Sequence, residues 1–317
     1  MYHELDALLE AIREAPADDL PRLALSDWCM EQPDPATQAR GELIQLRNRA
    51  ALLPADSPER GAMEQRVQEL RGQHEQEWLG GLGSFVSGWD FERGMILVEM
   101  TPASLHRTRL AQLAGQPGWK WVIGLKGILL AAGDLGRLLA AVSGSRPFLS
   151  SLTTLDLSTC DLGGAGVRGL VSAPGVEYLT SLQLGYTRCG DEGAVALAES
   201  NQLRRLTLLT LFNNGISSAG ATALAGSPHL RKLMRLDLSR NPLGDQGARA
   251  LAHSPHMPEL TELLLASCGI GDRGGVAFVD TTQREKLQLF DLGDNPLGQT
   301  TRNELREHYG KRVVFGA

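Results

Sequence analysis

A leucine recurs every 27 residues from residue 125 to residue 287, with no insertion or deletion between seven successive copies. Taking this leucine as position 1, positions 4 and 6 of each unit are also large and apolar. Side chains two residues apart point to the same side of a strand, so the spacing predicts a short strand with one buried face. The seven leucines are Leu125, Leu152, Leu179, Leu206, Leu233, Leu260 and Leu287.

The remainder of each unit predicts a turn and a helix. Position 9 is a small residue, and where it is polar its side chain can bind backbone as the chain leaves the strand. Position 12 is Gly in six units and position 15 is Gly in five, which we attribute to positive φ or close packing. These eleven glycines help to explain a high total, 36 of 317 residues. The Ala-rich residues after position 15 predict a tightly packed helix.

A unit of one strand and one helix cannot bury its apolar face alone, so the copies must stack. The segments LTTLDLSTCDLGGAGVRGL and LMRLDLSRNPLGDQGARAL resemble leucine-rich repeats of the ribonuclease-inhibitor type, and the resemblance covers residues 125–310. It implies an α/β fold, a right-handed βα horseshoe solenoid whose parallel sheet lines the concave side. The first unit departs from the pattern after Leu135, and the last has Thr301 in place of a glycine.

Both ends of such a solenoid need a cap. An eighth unit would begin at residue 314, so we predict that Arg312 to Phe315 add a final strand. Upstream, Met95 to Met100 predict an initial strand ahead of the seven 27-residue repeats that start at residue 125. We therefore expect two domains, a helical cap over residues 1–90 and a solenoid over residues 91–317.

Residues 4–79 predict four helices. Apolar residues at helical spacing mark the first helix, which Pro16 ends. Asp18 or Asp19 is expected to cap the second helix, and Ser57 to open the fourth, which reaches Trp78. The apolar positions that define the first three helices are Leu5, Leu8, Leu9 and Ile12, then Leu20, Leu23 and Trp28, then Leu43, Leu46 and Ala50.

The run ELDALLEAIREAPADDLPRLALSDWCMEQPDPATQARGELIQLRNR resembles the repeat-companion domain found ahead of bacterial leucine-rich repeats. The residues that carry the resemblance are Leu8, Ile12, Pro16, Asp18, Asp19, Pro21, Arg22, Leu23, Asp27, Trp28, Glu31, Ala39, Glu42, Ile44, Leu46 and Trp78. Cys29 departs from the pattern, because the resemblance implies Leu there. It implies an all-helical cap in a bacterial protein, and it implies no activity.

Charge is uneven along the chain, whose net charge is −6. Residues 1–94 hold 9 Arg, no Lys and 18 acidic residues, a net charge of −9, whereas residues 95–317 carry +3. Neither segment has the basic patch that neutralises phosphates, so we expect no nucleic-acid partner. The chain starts without a secretory signal, and its most apolar stretch, residues 122–142, contains three charged residues. This predicts a cytoplasmic protein with no membrane partner.

No catalytic motif is recognisable, so we expect no enzyme activity, no cofactor and no bound metal. The four cysteines are far apart and are predicted to be reduced thiols. A minor alternative places catalysis in the amino-terminal helices around Asp27 and Glu42. Trp119 and Trp121 could anchor a partner, but burial against the helices is the favoured interpretation.

Two groups of residues could bind a metal, but each has a simpler explanation. The acidic residues near the amino terminus lack EF-hand spacing, so they are interpreted as helix caps and salt-bridge partners of Arg22 or Arg40. They are Asp18, Asp19, Asp27, Glu31 and Asp34. His253 and His256 belong to the motif HSPH, and a second SPH at residues 227–229 indicates that the motif is inherited with the repeat.

Positions 2, 3, 5, 7 and 8 of each unit are expected to face the concave side. The candidate partner-binding residues there are Tyr186, Leu208, Thr210, Phe212, Arg235, Asp237, Arg240, Asp156 and Asp291. Aromatic and Arg side chains are enriched in binding hot spots. We predict a monomeric, non-enzymatic protein–protein interaction module that binds a protein through this face. The alternative, by analogy with similar repeats, is a regulatory subunit of an enzyme, a GTPase-activating or inhibitory protein, for which Arg235 and Arg240 would be tested first.

Overall fold

The computed structural model describes residues 2–16, 18–105, 112–113, 115–139, 142–143, 146–279, 281 and 286–316. Two compact units emerge, the first formed by Met1–Lys126 and Ala141–Thr153, the second by Gly127–Ala140 and Thr154–Ala317. The first unit extends past residue 90 because Met95–Met100 pairs with Gly88–Glu92 in an antiparallel hairpin.

Four helices open the first unit, close to the predicted positions. They are α1 (Tyr2–Glu14), α2 (Leu20–Met30), α3 (Pro35–Ala51) and α4 (Pro58–Leu79). The Asp34 carboxylate caps α3 by accepting a hydrogen bond from the Thr37 amide at 2.9 Å. Gly80 ends α4 in the left-handed region with φ 51°, a conformation that glycine adopts without a steric penalty.

The predicted apolar face of α2 is wrong. Leu20 is 72% exposed and Leu23 is also exposed, and Trp28 is only half-buried. The buried side chains of α2 are Arg22, Leu25, Ser26 and Cys29. This face turns inward because its polar groups find backbone partners: Arg22 donates to the Pro16 carbonyl at 2.6 Å, and Ser26 donates to the Gly41 carbonyl at 2.8 Å.

Three strands follow the helices in the first unit, together with a short hairpin. The strands are β1 (Gly88–Glu92), β2 (Met95–Met100) and β3 (Val122–Gly127). The hairpin consists of β4 (Val142–Ser143) and β5 (Arg146–Pro147). The last residue of β3 belongs to the second unit. Arg93 and Gly94 form the turn between β1 and β2 with φ of 51° and 87°. Two successive positive φ values match the twist of a two-residue hairpin. The predicted burial of Trp119 and Trp121 is confirmed, since they are 3% and 7% exposed.

The second unit alternates short strands with helices. Its strands are β6 (Thr154–Asp156), β7 (Ser181–Gln183), β8 (Leu208–Thr210), β9 (Arg235–Asp237), β10 (Glu262–Leu264), β11 (Leu289–Asp291) and β12 (Val313–Val314). Its helices are α5 (Ala132–Leu139), α6 (Gly163–Val171), α7 (Gly190–Glu199), α8 (Ser218–Ala225), α9 (Gly244–Ala252), α10 (Asp272–Val276) and α11 (Gln299–Tyr309).

The strands β6 to β12 are neighbours in chain order, and each pair is parallel. The register follows the repeat, so that Leu155 pairs with Leu182 and Leu182 with Leu209. These position-4 side chains are fully buried, while the flanking positions 3 and 5 are half-buried. Strands ~4.8 Å apart beside wider helices curve such a stack, with the strands on the concave side. The second unit therefore has the predicted solenoid fold.

Position 9 links successive repeats through buried asparagines. Asn241 accepts hydrogen bonds from the Asn214 and Ile216 amides at 2.9 and 3.0 Å, and it donates to the Leu211 and Leu238 carbonyls at 2.9 and 2.8 Å. Asn214, one repeat earlier, and Asn295, two repeats later, make equivalent contacts. The predicted contact between position 9 and the backbone is confirmed, and it extends to the preceding repeat.

A second polar ladder uses aspartates at position 13, the start of the repeat helix. Asp191 accepts from the amides of Ser217 and Gly220 at 2.8 and 3.0 Å. Asp272 accepts from the Gly298 amide at 2.7 Å in the same way. Each carboxylate thus satisfies free amide groups at the helix start of the next repeat, a role that the sequence analysis did not foresee.

Glycine at position 15 allows close approach between helices. A Cβ added to Gly220 would lie 3.0 Å from the Cβ of Ala194 in the preceding helix, and one added to Gly247 would lie 3.1 Å from the Cβ of Ala221, closer than ordinary van der Waals contact. At position 12 the need differs between repeats: Gly163, Gly190 and Gly244 have positive φ, whereas Gly298 does not and instead approaches the Asp272 carboxylate. Both expectations for these glycines are met.

Candidate functional site

The concave face is formed by side chains at positions 3, 5, 7 and 8 of the repeats in the second unit. Parallel register places equal positions of neighbouring repeats side by side, as with Leu208 and Arg235 at position 3 or Thr210 and Asp237 at position 5. Position-5 side chains are half-buried, so the face has a polar, partly solvated middle.

Three of the predicted residues form one cluster, which we call the aromatic patch: Tyr186, Phe212 and Arg240. The rings of Tyr186 and Phe212 meet edge to face with centroids 5.1 Å apart. The Arg240 guanidinium lies over the Phe212 ring, 5.2 Å from its centroid. Tyr186 is 45% exposed despite these contacts. Leu208, four residues before Phe212 on the same repeat, is half-buried.

The backbone of the patch is held in an uncommon conformation. Position 8 has positive φ in six consecutive repeats, and none of these residues is a glycine. They are Thr159, Tyr186, Asn213, Arg240, Ser267 and Asp294. The Tyr186 amide donates to the Phe212 carbonyl, and the Arg240 amide to the Ala266 carbonyl, each at 2.8 Å. Hydrogen bonds to the next repeat thus fix both patch residues in place.

The predicted aspartates at position 5 have an internal partner. Asp156, Asp237 and Asp291 each accept a hydrogen bond from the backbone amide two residues later, at 2.8 to 2.9 Å. This contact shapes the turn at the end of each strand. Asp156 and Asp291 also lie five strands apart, about 24 Å at the usual strand spacing, so they do not share one site with each other.

Arg235 has a partner of its own on the next strand. Its Nη1 lies 2.5 Å from the Glu262 carboxylate, and both side chains are partly exposed. An arginine that inserts into another protein's active site must be available, so this pair disfavours Arg235 for that role. Of the two arginines proposed for regulation, Arg240 remains, and it stacks on Phe212.

Arg188 is an exposed residue at the patch that the sequence analysis did not include. It occupies position 10, where two other repeats have glycine, and it too has positive φ, 56°. It lies in a shallow depression beside Tyr186 that is lined by Thr159, Tyr186, Arg188, Asn213, Asn214 and Gly215. The available signal was an arginine at position 10, where no other repeat has a basic residue.

The described thiols are chemically quiet. All four cysteines are free and buried. Burial raises the pKa of Cys29 and Cys268 to about 12 and that of Cys189 to about 11, and it also raises the pKa of Cys160. A thiolate, the reactive form, is therefore disfavoured at each position.

The histidines of HSPH follow a structural repeat, as predicted. Ser254 donates to the Ala225 carbonyl and accepts from the His256 amide; Ser227 does the same with Ala198 and His229. No cluster of three or more His, Cys, Asp or Glu side chains able to hold a metal occurs among the described residues. The expected salt bridges from the acidic cluster to Arg22 or Arg40 are also not formed by residues that the structure describes. Both arginines bind backbone carbonyls instead.

Comparison with known families agrees with this fold. The sequence model of the Leucine Rich repeat family matches residues 148–171, 177–198, 229–252 and 256–279. These segments are leucine-rich repeats, and a helical region precedes them. Repeats of this kind indicate a module for protein–protein interaction.

Two solved structures are distantly similar. An internalin from Listeria monocytogenes str. 4b F2365 is 17% identical with a TM-score of 0.42, over 66% of this chain and 57% of the internalin. The chain thus spans little more than half of that protein. The Rad7 and Elc1 complex from yeast provides a match of 14% identity and TM-score 0.40, over 90% and 88% of the two chains. A comparison with curated proteins gave no match. None of the helices that the structure describes is long and apolar enough to cross a membrane.

Proposed function

We propose that the chain is a non-enzymatic interaction module that binds a partner protein through the concave face of its repeats, with the aromatic patch as the main contact. One observation carries the proposal: Tyr186, Phe212 and Arg240, from three consecutive repeats, gather into one exposed cluster. Tyr and Arg are among the residues most enriched in hot spots of protein interfaces.

The rigidity of the patch supports this role. Tyr186 and Arg240 are fixed at the backbone by hydrogen bonds to neighbouring repeats, and their side chains are fixed by stacking on Phe212. A side chain that is already ordered loses little entropy when a partner binds, so more of the contact energy appears as affinity. The surrounding half-buried Thr and Asp side chains can form the polar rim.

The remaining parts of the proposal rest on chemistry. Four free buried thiols are typical of a reducing compartment, which supports a cytoplasmic location. The resemblance of the amino-terminal region to the repeat-companion domain supports a bacterial origin. We expect a protein rather than a nucleic acid as partner because the chain is acidic overall, with a net charge of −6. We also expect the chain to be a monomer.

The test is to replace Tyr186 and Phe212 by Ala together and to capture partners from the native cells with wild type and variant. A protein captured by wild type is then purified and its Kd measured for both chains. Hot-spot residues contribute about 2 kcal/mol or more each, so the double variant should lose about 4 kcal/mol, a weakening of binding on the order of 1,000-fold. Circular dichroism checks that the variant is folded.

Tyr178→Ala is the matched control. Tyr178 precedes β7, outside the concave positions, and is half-buried with Arg205 over its ring at 5.9 Å. This variant should retain wild-type affinity. A double variant that captures and binds the partner as tightly as wild type would remove the aromatic patch from the proposal.

A further inference from the structure

The first unit contains a small cavity outside the repeats. Its volume is about 230 Å³, and its walls include Arg40, Lys120, Trp78, Trp121, Asp34 and Glu77. At ~30 Å³ per water molecule, it holds about seven or eight water-sized groups. This is below the usual range of sites for drug-sized molecules, so the occupant that fits is a small metabolite.

Arg40 is a buried cation in the wall of this cavity. It is 3% exposed, and its guanidinium lies over the rings of Trp121 and Trp78 at 4.0 and 5.4 Å. Its Nη2 donates to the Trp78 carbonyl at 3.2 Å, while its Nε has no hydrogen-bond partner. No carboxylate of the described residues lies at ion-pair distance from it. Burial lowers its pKa to about 9.

An unpaired buried charge is costly, and proteins normally pair it. Here the neighbouring aromatic rings supply only part of the electrostatic stabilisation that a carboxylate would provide. Arg40 thus has a hydrogen-bond donor without a partner, its Nε, and it lies in the wall of a cavity that is large enough for a ligand. A carboxylate is the group that a guanidinium fork binds best, through two parallel hydrogen bonds.

The other charged residues around the cavity determine which kind of anion fits it. Lys120 is half-buried, and burial lowers its pKa; Asp34 and Glu77 are exposed. The Asp34 carboxylate already accepts hydrogen bonds from Thr37, and Glu77 pairs loosely with His74 at 3.7 Å. Two carboxylates at the cavity disfavour a doubly charged phosphate. They favour a ligand whose far end is a cation.

We propose that this cavity binds a small zwitterion of the α-amino acid class, with its carboxylate on Arg40 and its ammonium group towards Asp34 and Glu77. The two tryptophans enclose the ligand's apolar part. The site is independent of the concave face and of the function proposed for it.

The test is isothermal titration of the full chain with each of the twenty standard amino acids, and with acetate, methylammonium and inorganic phosphate. At least one amino acid should bind one to one, and at least tenfold more tightly than the three ions. Arg40→Lys keeps the charge but loses the fork, and should weaken binding on the order of tenfold or more.

Glu77→Gln tests the other end without disturbing the buried arginine. Because Glu77 is exposed, this variant should fold normally; it should weaken binding of the amino acid while binding of acetate rises. Glu307→Gln, the same change in α11, should alter neither. The proposal is overturned if none of the twenty amino acids binds, if phosphate or acetate binds as tightly as any of them, or if binding survives both variants.

Discussion

The buried asparagines at position 9 and their hydrogen bonds between repeats form an asparagine ladder. We predict that replacing one of them strongly lowers the stability of the protein. Replacing Asn241, which is 1% exposed, by Ala leaves the amides of Asn214 and Ile216 buried without an acceptor, and it removes one donor from each of two carbonyls. An unsatisfied buried donor costs about 1–3 kcal/mol. Counting only the two amides, because a carbonyl is more tolerant of a missing partner, the free energy of unfolding should fall by about 4 kcal/mol.

Urea denaturation followed by circular dichroism measures this loss as a shift of the midpoint. The control is Asn303→Ala in α11, where an exposed amide accepts from Gln299 and the change should stay within about 0.5 kcal/mol. If Asn241→Ala lowers the unfolding free energy by less than about 1 kcal/mol, the ladder does not stabilise the repeats in the way described.

Two further predictions concern titratable groups. The pKa of Asp272 lies below its ordinary value of 3.8 because it accepts hydrogen bonds from Thr301 and Gly298, so it adds stability above that value and loses it as the pH falls through the folded-state pKa. Asp272→Asn should therefore lower the urea midpoint at neutral pH and leave it unchanged well below pH 3.8; equal shifts at both would contradict this. The four buried cysteines should react with a thiol reagent only after urea is added, and rapid reaction of native protein would show that burial does not protect them.

The repeat register made most of the second unit predictable. A strand, a position-9 side chain that binds backbone and a packed glycine each follow from local chemistry that recurs every 27 residues. The aspartates of position 13 were missed because their partners lie in the next repeat, at Ser217, Gly271 and Gly298. The pairing becomes visible in the sequence only when positions 12 and 13 of successive repeats are compared.

The second helix shows why a single helix is harder to predict. Its sequence offers two faces, one with Leu20 and Leu23 and one with Leu25 and Cys29. Hydrophobicity favours the first, but the second is buried because Arg22 and its neighbours find backbone acceptors that only the folded chain provides. Burial of a polar face is decided by such tertiary partners, which periodicity does not contain.

The candidate sites also differ in how far the sequence alone predicts them. Tyr186 and Phe212 could be paired from the sequence because the repeat sets which strands are adjacent. The three position-5 aspartates looked equally available, yet each binds its own turn. The cavity around Arg40 left no trace in the sequence, since it is assembled from α3, α4 and the segment before β3. Arg40 is one of three arginines in α3, and nothing in the sequence distinguishes it as the buried one.

The uniform spacing of the repeats also has a mechanical consequence. Strands, asparagines and aspartates connect each repeat mainly to its neighbours, so a force applied to the chain ends loads the outermost of these connections first. Such an array unfolds one repeat at a time from an end and not in a single cooperative step. With 27 residues released each time, at ~3.5 Å per residue, every event lengthens the chain by about 95 Å.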